Sequence, residues 1–476
     1  MIPLSLAEIA GIVGGRPHDV PDPEQRVTGP VVIDSREAVP GSLFAAFSGE
    51  RVDGHEFAAR AVQAGAVAVL AARPVGAPAI VVDDVEKALG ALARAVVERL
   101  GATVVALTGS SGKTSTKDLI AQVLQRHAPT VWTPGSLNNE IGLPLTALRA
   151  DGTTRHLVLE MGARGVGHIR YLTGLTPPRI GLVLNVGTAH LGEFGGRDRI
   201  ALAKGELVEA LPDAGAGGVA VLNADDPLVR AMRDRTKARV VLFGEAEDAD
   251  IRAENVRLTT VGQPSFTLHT PTGCSDVTLR LYGEHHVSNA LAAAAVAHES
   301  GMPVSEIAQA LSEAGQLSRW RMEVTERADG VTVVNDAYNA NPDSMRAALR
   351  ALAAMGRARQ AQGARTWAVL GQMAELGEES LAEHDAVGRL AVRLNVSKLV
   401  AVGGQEAAWL DMGAKNEGSW GEESVHVSDV RAAIDLLRRE LRPGDVVLVK
   451  ASRSVGLERV ALELLDGEGE VAGRWA

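Results

Sequence analysis

Cysteine is nearly absent: Cys274 is the one thiol in 476 residues. One thiol excludes a disulfide framework, a Cys-rich zinc site and a CxxC redox motif, and it fits a reducing compartment. Aromatic residues make up only 3% of the chain, whereas there are 51 glycines, a composition suited to closely packed α/β layers. Basic residues are the minority, 48 Lys and Arg against 59 Asp and Glu, for a formal net charge of -11. A general nucleic-acid binder carries a basic face, so that class is disfavoured. No run approaches the ~20 apolar residues that cross a bilayer. The richest, Ala61 to Ala72, is short and interrupted by Gln63. The N-terminus has no basic stretch, and Glu8 sits where a signal peptide is apolar. A cytoplasmic protein without a membrane span is expected. Apolar content of 46% and charged content of 22% exclude disorder for the bulk of the chain.

At roughly 150 residues per domain the length suggests three domains. Short β-branched runs alternate with helical ones, which predicts parallel α/β sheets. The first unit, 1–100, is small. Ser5-x-x-Glu8 reads as a capping box opening a helix that stops at Gly14-Gly15. Val31–Ile33 and Ala79–Val82 read as strands, Phe57–Gln63 and Glu86–Leu100 as helices. The second unit, 101–318, has buried-type strands at 103–107, 156–160, 180–185, 219–222 and 240–243, and an irregular β insertion over 250–282. The third, 319–476, alternates strands at 331–335, 367–370, 399–402, 425–427 and 446–449 with helices. This is a doubly wound pattern, which binds ligands at strand C-terminal ends.

The strongest local signal is Gly109-Ser110-Ser111-Gly112-Lys113-Thr114-Ser115, after a strand ending at Thr108 and before a helix through Leu119, Ile120, Val123 and Leu124. Backbone N–H groups and a helix N-terminus then face an anion. Lys113 would reach the outer phosphates and Thr114 would ligate Mg²⁺. Two residues separate the glycines, not the four of GxxxxGK[ST], and a plain Gly/Ser-rich turn is the alternative. Glu160, at a strand C-terminus beside this loop, is placed like a metal-binding acid. By itself it reads more readily as a solvated strand end. His190 follows the strand at 180–185. Lys204 lies in a helix over 198–211, where a lysine is ordinarily a surface residue.

These residues together resemble the Mur ligase family of ATP-dependent amide-bond ligases. The motifs are TGSSGKTS at 108–115, NNEIGLP at 138–144, EMGA at 160–163, NVGTAH at 185–190, AKGE at 203–206, GEHHVSNALAA at 283–293 and SRWRME at 318–323. NDAYNANPDSM at 335–345, GQMAELGEES at 371–380 with His384, and VLVKASRSVGLE at 447–458 resemble the branch that adds a D-alanyl-D-alanine dipeptide. Residues 34–57, DSREAVPGSLFAAFSGERVDGHEF, resemble the family's UDP-sugar-binding domain. The resemblance implies a small N-terminal α/β UDP-binding domain, a central P-loop parallel-sheet ATPase domain and a C-terminal Rossmann-like domain. It implies ATP and two Mg²⁺ ions, one on Thr114 and Glu160, the other on His190 and a Lys204 carbamylated by CO₂. Asn289 would read adenine, Arg321 would grip the γ-phosphate and Asp336 would meet the ribose. His286 stands where the family's adenine motif often has a first Asn.

The implied acceptor is UDP-N-acetylmuramoyl-tripeptide and the implied amine is D-alanyl-D-alanine, with no nucleic acid and a monomer sufficing. Ser35 and Arg36 are candidates for the UDP end, Asn138 and Asn139 for the acceptor channel, and Asn339, Asn341 and Ser344 for the dipeptide. Arg36 reads equally as a surface ion pair, Asn138 and Asn139 as loop caps, and Asn341-Pro342-Asp343 as helix-start chemistry. Lys113, His190, Lys204 and Arg321 are the candidates for chemistry. Competing readings are a sister ligase adding the third residue, a P-loop switch that makes no bond, and a folate-polyglutamating ligase.

Overall fold

The computed structural model describes residues 1–49, 52–188, 191–360, 363–419 and 421–466. The chain begins as the capping box requires. Ser5 Oγ accepts from the Glu8 N–H at 3.2 Å, and the Glu8 carboxylate accepts from the Ser5 N–H at 2.9 Å. The helix Leu6–Val13 ends at Gly14, whose φ of 62° suits glycine. A five-stranded sheet follows, in the order Arg16–His18, Ala79–Val81, Ala68–Ala71, Leu43–Ala45 and Val31–Val32, parallel except for its first strand. Leu43–Ala45 and Ala68–Ala71 are buried throughout, so neither carries the alternation that marks a half-exposed strand.

The central sheet has nine strands. Thr103–Thr108 lies between His156–Glu160 and Ile180–Val183, parallel to both. Beyond Ile180–Val183 come Val219–Asn223 and Arg239–Gly244. Residues 250–282 differ from the expected irregular insertion. Ile251–Leu258 continues the same sheet parallel to Arg239–Gly244, and Pro264–Thr270 and Gly273–Thr278 follow as antiparallel strands. Their inward residues Ile251, Ala253, Phe266, Leu268 and Val277 share one apolar cluster with the helices His286–Glu299 and Val304–Glu313. The helix His286–Glu299 is alanine-rich and fully buried from Ala290 to Ala297, which lets its backbone lie close to the sheet. The apolar cluster on the opposite face is continuous with that of the first unit.

The third unit is a six-stranded sheet with Glu323–Glu326 as an antiparallel edge. Thr332–Asn335, Val446–Lys450, Thr366–Leu370, Lys398–Val402 and Ser424–Val427 follow, all parallel. Separate apolar clusters cover its two faces, as in a doubly wound sheet. Among the described residues no helix is long and apolar enough to cross a membrane.

Candidate active site

The strand Thr103–Thr108 delivers the chain into the glycine loop, and the helix Lys113–Gln125 leaves it. Gly112 has a φ of 78°, and a Cβ there would lie 2.7 Å from Asn289 Oδ1, so conformation and space both demand glycine. Asn185 shapes the turn. Its Oδ1 accepts from the N–H groups of Ser110 (2.9 Å) and Ser111 (3.0 Å), and its Nδ2 donates to the Ser111 carbonyl. Lys113 Nζ donates back to the Gly109 carbonyl at 2.7 Å. Thr108 is fully buried and donates to the Met161 carbonyl, so it belongs to the framework under the loop.

A cavity of about 810 Å³ opens above this turn, between the central and C-terminal sheets. Of the candidates in the described residues, all but Thr108, Gly109, Ser35 and Arg36 line it. His190 lies outside the described residues. Glu160 is buried, and its Oε1 accepts from Asn138 Nδ2 at 2.8 Å. Its Oε2 has no hydrogen-bond partner among the described residues. A buried carboxylate oxygen without a donor is costly unless a cation completes it. Thr114 Oγ1, the other candidate ligand, lies 3.1 Å from Ser136 Oγ. Among the described residues no three His, Cys, Asp or Glu side chains cluster as a ready chelate. Thr114 and Glu160 therefore fit an Mg²⁺ that takes its other ligands from phosphate and water, as that ion commonly does.

Three lysines line this cavity, Lys113, Lys204 and Lys450. Burial pulls the Lys113 ammonium below its usual range, with Glu160 opposing the shift and Arg321 adding to it. Burial, and then the charge of Lys113, hold Lys204 well below the usual lysine range. Lys204 comes from the helix Arg197–Glu209 and has no hydrogen-bond or ion-pair partner among the described residues. A neutral amine in this position is a nucleophile for CO₂, and the resulting carbamate offers oxygens to a hard cation. His285, also facing the cavity, is pushed down to about 4 by burial, with Asp336 opposing and Lys450 adding, so it is neutral at physiological pH.

Arg321 spans the two units. Its Nη2 donates to Thr114 Oγ1 (3.2 Å) and Ser136 Oγ (3.3 Å), and its guanidinium lies 4.1 Å from the Tyr338 ring centroid. The flanking Trp320 and Met322 have φ of 59° and 54°, a left-handed conformation costing about 1 kcal/mol or more for such side chains. The Trp320 N–H donates to Glu323 and the Met322 N–H to Asp336, which hold that backbone in place. The other oxygen of Asp336 pairs with buried Lys450 at 2.7 Å, and Lys450 also donates to the Asn339 carbonyl.

The remaining candidates are largely engaged in local structure. Asn341 and Ser344 form a capping box that starts the helix Pro342–Ala358, and Asn341 Nδ2 reaches across to the Ser110 carbonyl. Asn339 Oδ1 accepts from the Ala340 N–H. Asn139 Oδ1 accepts from the Gly142 N–H at the start of the helix Gly142–Ala147. Ser35 is buried in the turn Ser35–Glu37, and exposed Arg36 is clasped by Asp34 at 2.6 Å. The hydrogen bond to Arg36 holds the Asp34 carboxyl down at about 2. Four residues that sequence reasoning missed also matter. They are Asn185, Lys117, Lys450 and Asp343, the last of which accepts from the Thr188 N–H and hydroxyl across the domain boundary. A Cβ on neighbouring Gly187 would lie 2.1 Å from that same Asp343 carboxylate.

Comparison with known proteins shows which family this fold belongs to. Residues 107–297 match the Mur ligase middle domain, 320–453 the Mur ligase, glutamate ligase domain, and 30–97 the Mur ligase family, catalytic domain. The chain is 50% identical to a UDP-N-acetylmuramoyl-tripeptide--D-alanyl-D-alanine ligase of Mycobacterium leprae (strain TN), over 99% of this chain and 100% of that one. Its fold superposes on a crystal structure of MurF from Acinetobacter baumannii with a TM-score of 0.86 and 34% identity, covering 97% and 99% of the two chains. MurF ligase from Thermotoga maritima, solved in complex with ADP, gives 0.79 and 31%, covering 92% and 97%. With a central and a C-terminal α/β unit meeting at a glycine loop, a smaller α/β unit ahead of them and likeness of this degree along its whole length, the chain belongs to the Mur ligase family.

Proposed function

We propose that this chain joins D-alanyl-D-alanine to UDP-N-acetylmuramoyl-tripeptide with ATP, giving UDP-N-acetylmuramoyl-pentapeptide, ADP and phosphate for peptidoglycan synthesis. The observation that carries it is one cavity in which Lys113, Arg321 and the unpartnered oxygen of Glu160 converge above the glycine loop. We read 1–100 as the UDP-binding unit, 101–318 as the ATP-binding unit and 319–476 as the closing unit. We read the chain as acting as a monomer, and the reaction is assigned to the cytoplasm, where ATP is at hand.

A peptide carboxylate is a poor electrophile. Transfer of the γ-phosphoryl group makes it an acyl phosphate, breaking the bond to ADP. The dipeptide amine then attacks the carbonyl carbon, phosphate departs with the C–O electron pair, and the amine proton passes to a base. Lys113 and Arg321 offset the negative charge gathered between carboxylate and triphosphate, which is positioning plus electrostatic stabilisation. Ser110–Ser115 would cradle the phosphates. Asn289 beside the loop and Asp336 at the opposite wall would hold the nucleoside. Thr114 and Glu160 would hold one Mg²⁺, and His190 with carbamylated Lys204 a second. These ions, when bound, neutralise charge on the phosphate oxygens. Ser35 and Arg36 would meet the UDP end, Asn138 and Asn139 the peptide, and Asn339, Asn341 and Ser344 the dipeptide.

The test is a phosphate-release assay over a matrix of UDP-peptides and amines, with the product weighed by mass spectrometry. Release is expected only when UDP-tripeptide and D-alanyl-D-alanine are both present. Turnover with a single amino acid, or steady hydrolysis without either substrate, would defeat the assignment.

A further inference from the structure

The glycine-loop helix carries a lysine that takes no part in the mechanism above. Lys117 lies one turn after Lys113, and its side chain is 1% exposed. Its Nζ donates to the Thr133 carbonyl (2.8 Å) and the Gly135 carbonyl (2.9 Å), and it pairs with Asp118 Oδ1 at 2.8 Å. Both carbonyls belong to the segment that leads to Ser136 and Asn138. Ser136 Oγ contacts Thr114 and Arg321, and Asn138 Nδ2 holds Glu160. Thr133 Oγ1 accepts the Glu160 N–H at 3.1 Å. Asp118 Oδ2 accepts from the Ser318 N–H, three residues before Arg321, and Gln122 exchanges two hydrogen bonds with Gly315. One helix therefore grips both segments that flank the triphosphate position.

We propose that Lys117 is a positioning residue for the nucleotide. Its buried ammonium fixes the 133–138 segment so that Ser136 and Asn138 aim Thr114, Arg321 and Glu160 at the phosphates and their Mg²⁺. The inference rests on the ATP-dependent reading above. Replacing a buried ammonium by an apolar side chain of similar length leaves Asp118 without its counter-charge and lowers stability whatever the lysine's role, but a lysine kept only for stability leaves the nucleotide affinity of the folded chain unchanged. One that sets the geometry of neighbouring ligands does not, and losing such support costs about tenfold or more in affinity.

The experiment compares the full chain with Lys117→Met, Ser136→Ala and the double variant. Thermal unfolding, calorimetric binding of AMP-PNP with Mg²⁺, and KM for each substrate are measured. Lys117→Met is expected to fold, to bind the nucleotide about tenfold more weakly and to raise KM for ATP, leaving KM for D-alanyl-D-alanine unchanged. Ser136→Ala is expected to weaken binding by about threefold, as loss of one modest hydrogen bond would. The double variant should bind no more weakly than Lys117→Met, because both act through one segment. Unchanged binding in Lys117→Met, an equal rise in KM for all three substrates, or fully additive losses would each overturn the proposal. If Lys117→Met fails to fold, Ser136→Ala decides: normal nucleotide binding there overturns it. An unsubstituted chain that makes no amide product defeats the ligase assignment instead, and the binding comparison stands apart from that result.

Discussion

The two walls of the cavity use their polar groups differently. On the central wall, Lys204 and Glu160 Oε2 have no partner among the described residues, and Lys113 has only a loop carbonyl. On the C-terminal wall, Asp336 is shared between Lys450 and the Met322 N–H, while Asn341 and Ser344 complete each other's capping box. Burying a polar group without a partner is unfavourable, so unengaged groups gather where a ligand completes them. The engaged groups keep the opposite wall in shape. The difference teaches that motif membership alone does not separate residues that meet the ligand from residues that hold the frame.

Substitutions break or sharpen this contrast. Lys113→Ala should lower phosphate release about a thousandfold, as loss of a principal charge-stabilising donor does, with thermal unfolding near that of the unsubstituted chain. A large fall in Tm would blur the distinction between walls. Asp336→Ala should act first on stability. It leaves buried Lys450 without its counter-charge, and denaturant titration should register a loss of about 3 kcal/mol. Lys204→Ala should cost about a hundredfold in turnover, while calorimetry still detects nucleotide binding. Because burial favours the neutral amine of Lys204, added bicarbonate should raise the activity of CO₂-depleted enzyme, and the Ala variant should not respond. The smallest effect belongs to Asn341→Ala, whose lost helix cap should cost about 1 kcal/mol in unfolding experiments.

Much of this was legible in the chain. The glycine loop announced itself by a strand before it and a helix after it, despite its shortened spacing. Most central and C-terminal strands lie within a residue or two of their apolar runs. The buried strands Leu43–Ala45 and Ala68–Ala71 were missed because an all-apolar triplet or quartet has no period to read. The regular extension over Ile251–Thr278 reads as irregular in the sequence because its exposed face is strongly polar and a bulge interrupts its first strand. Lys117 could have been found. It shares a stripe with Lys113, Ile120 and Leu124, and a lysine on the apolar side of a helix is a signal in itself. The pairing of Asp343 with Thr188 had no such signal, since it exists only after two separate sheets meet.

At that meeting point Gly187 leaves no room for even a methyl group against the Asp343 carboxylate. The seam between the units thus has a built-in gauge. Any side chain at 187 would push that carboxylate off the Thr188 N–H and hydroxyl, loosening the contact between the surfaces that border the glycine loop. A single atom there could detune catalysis without touching a reacting group.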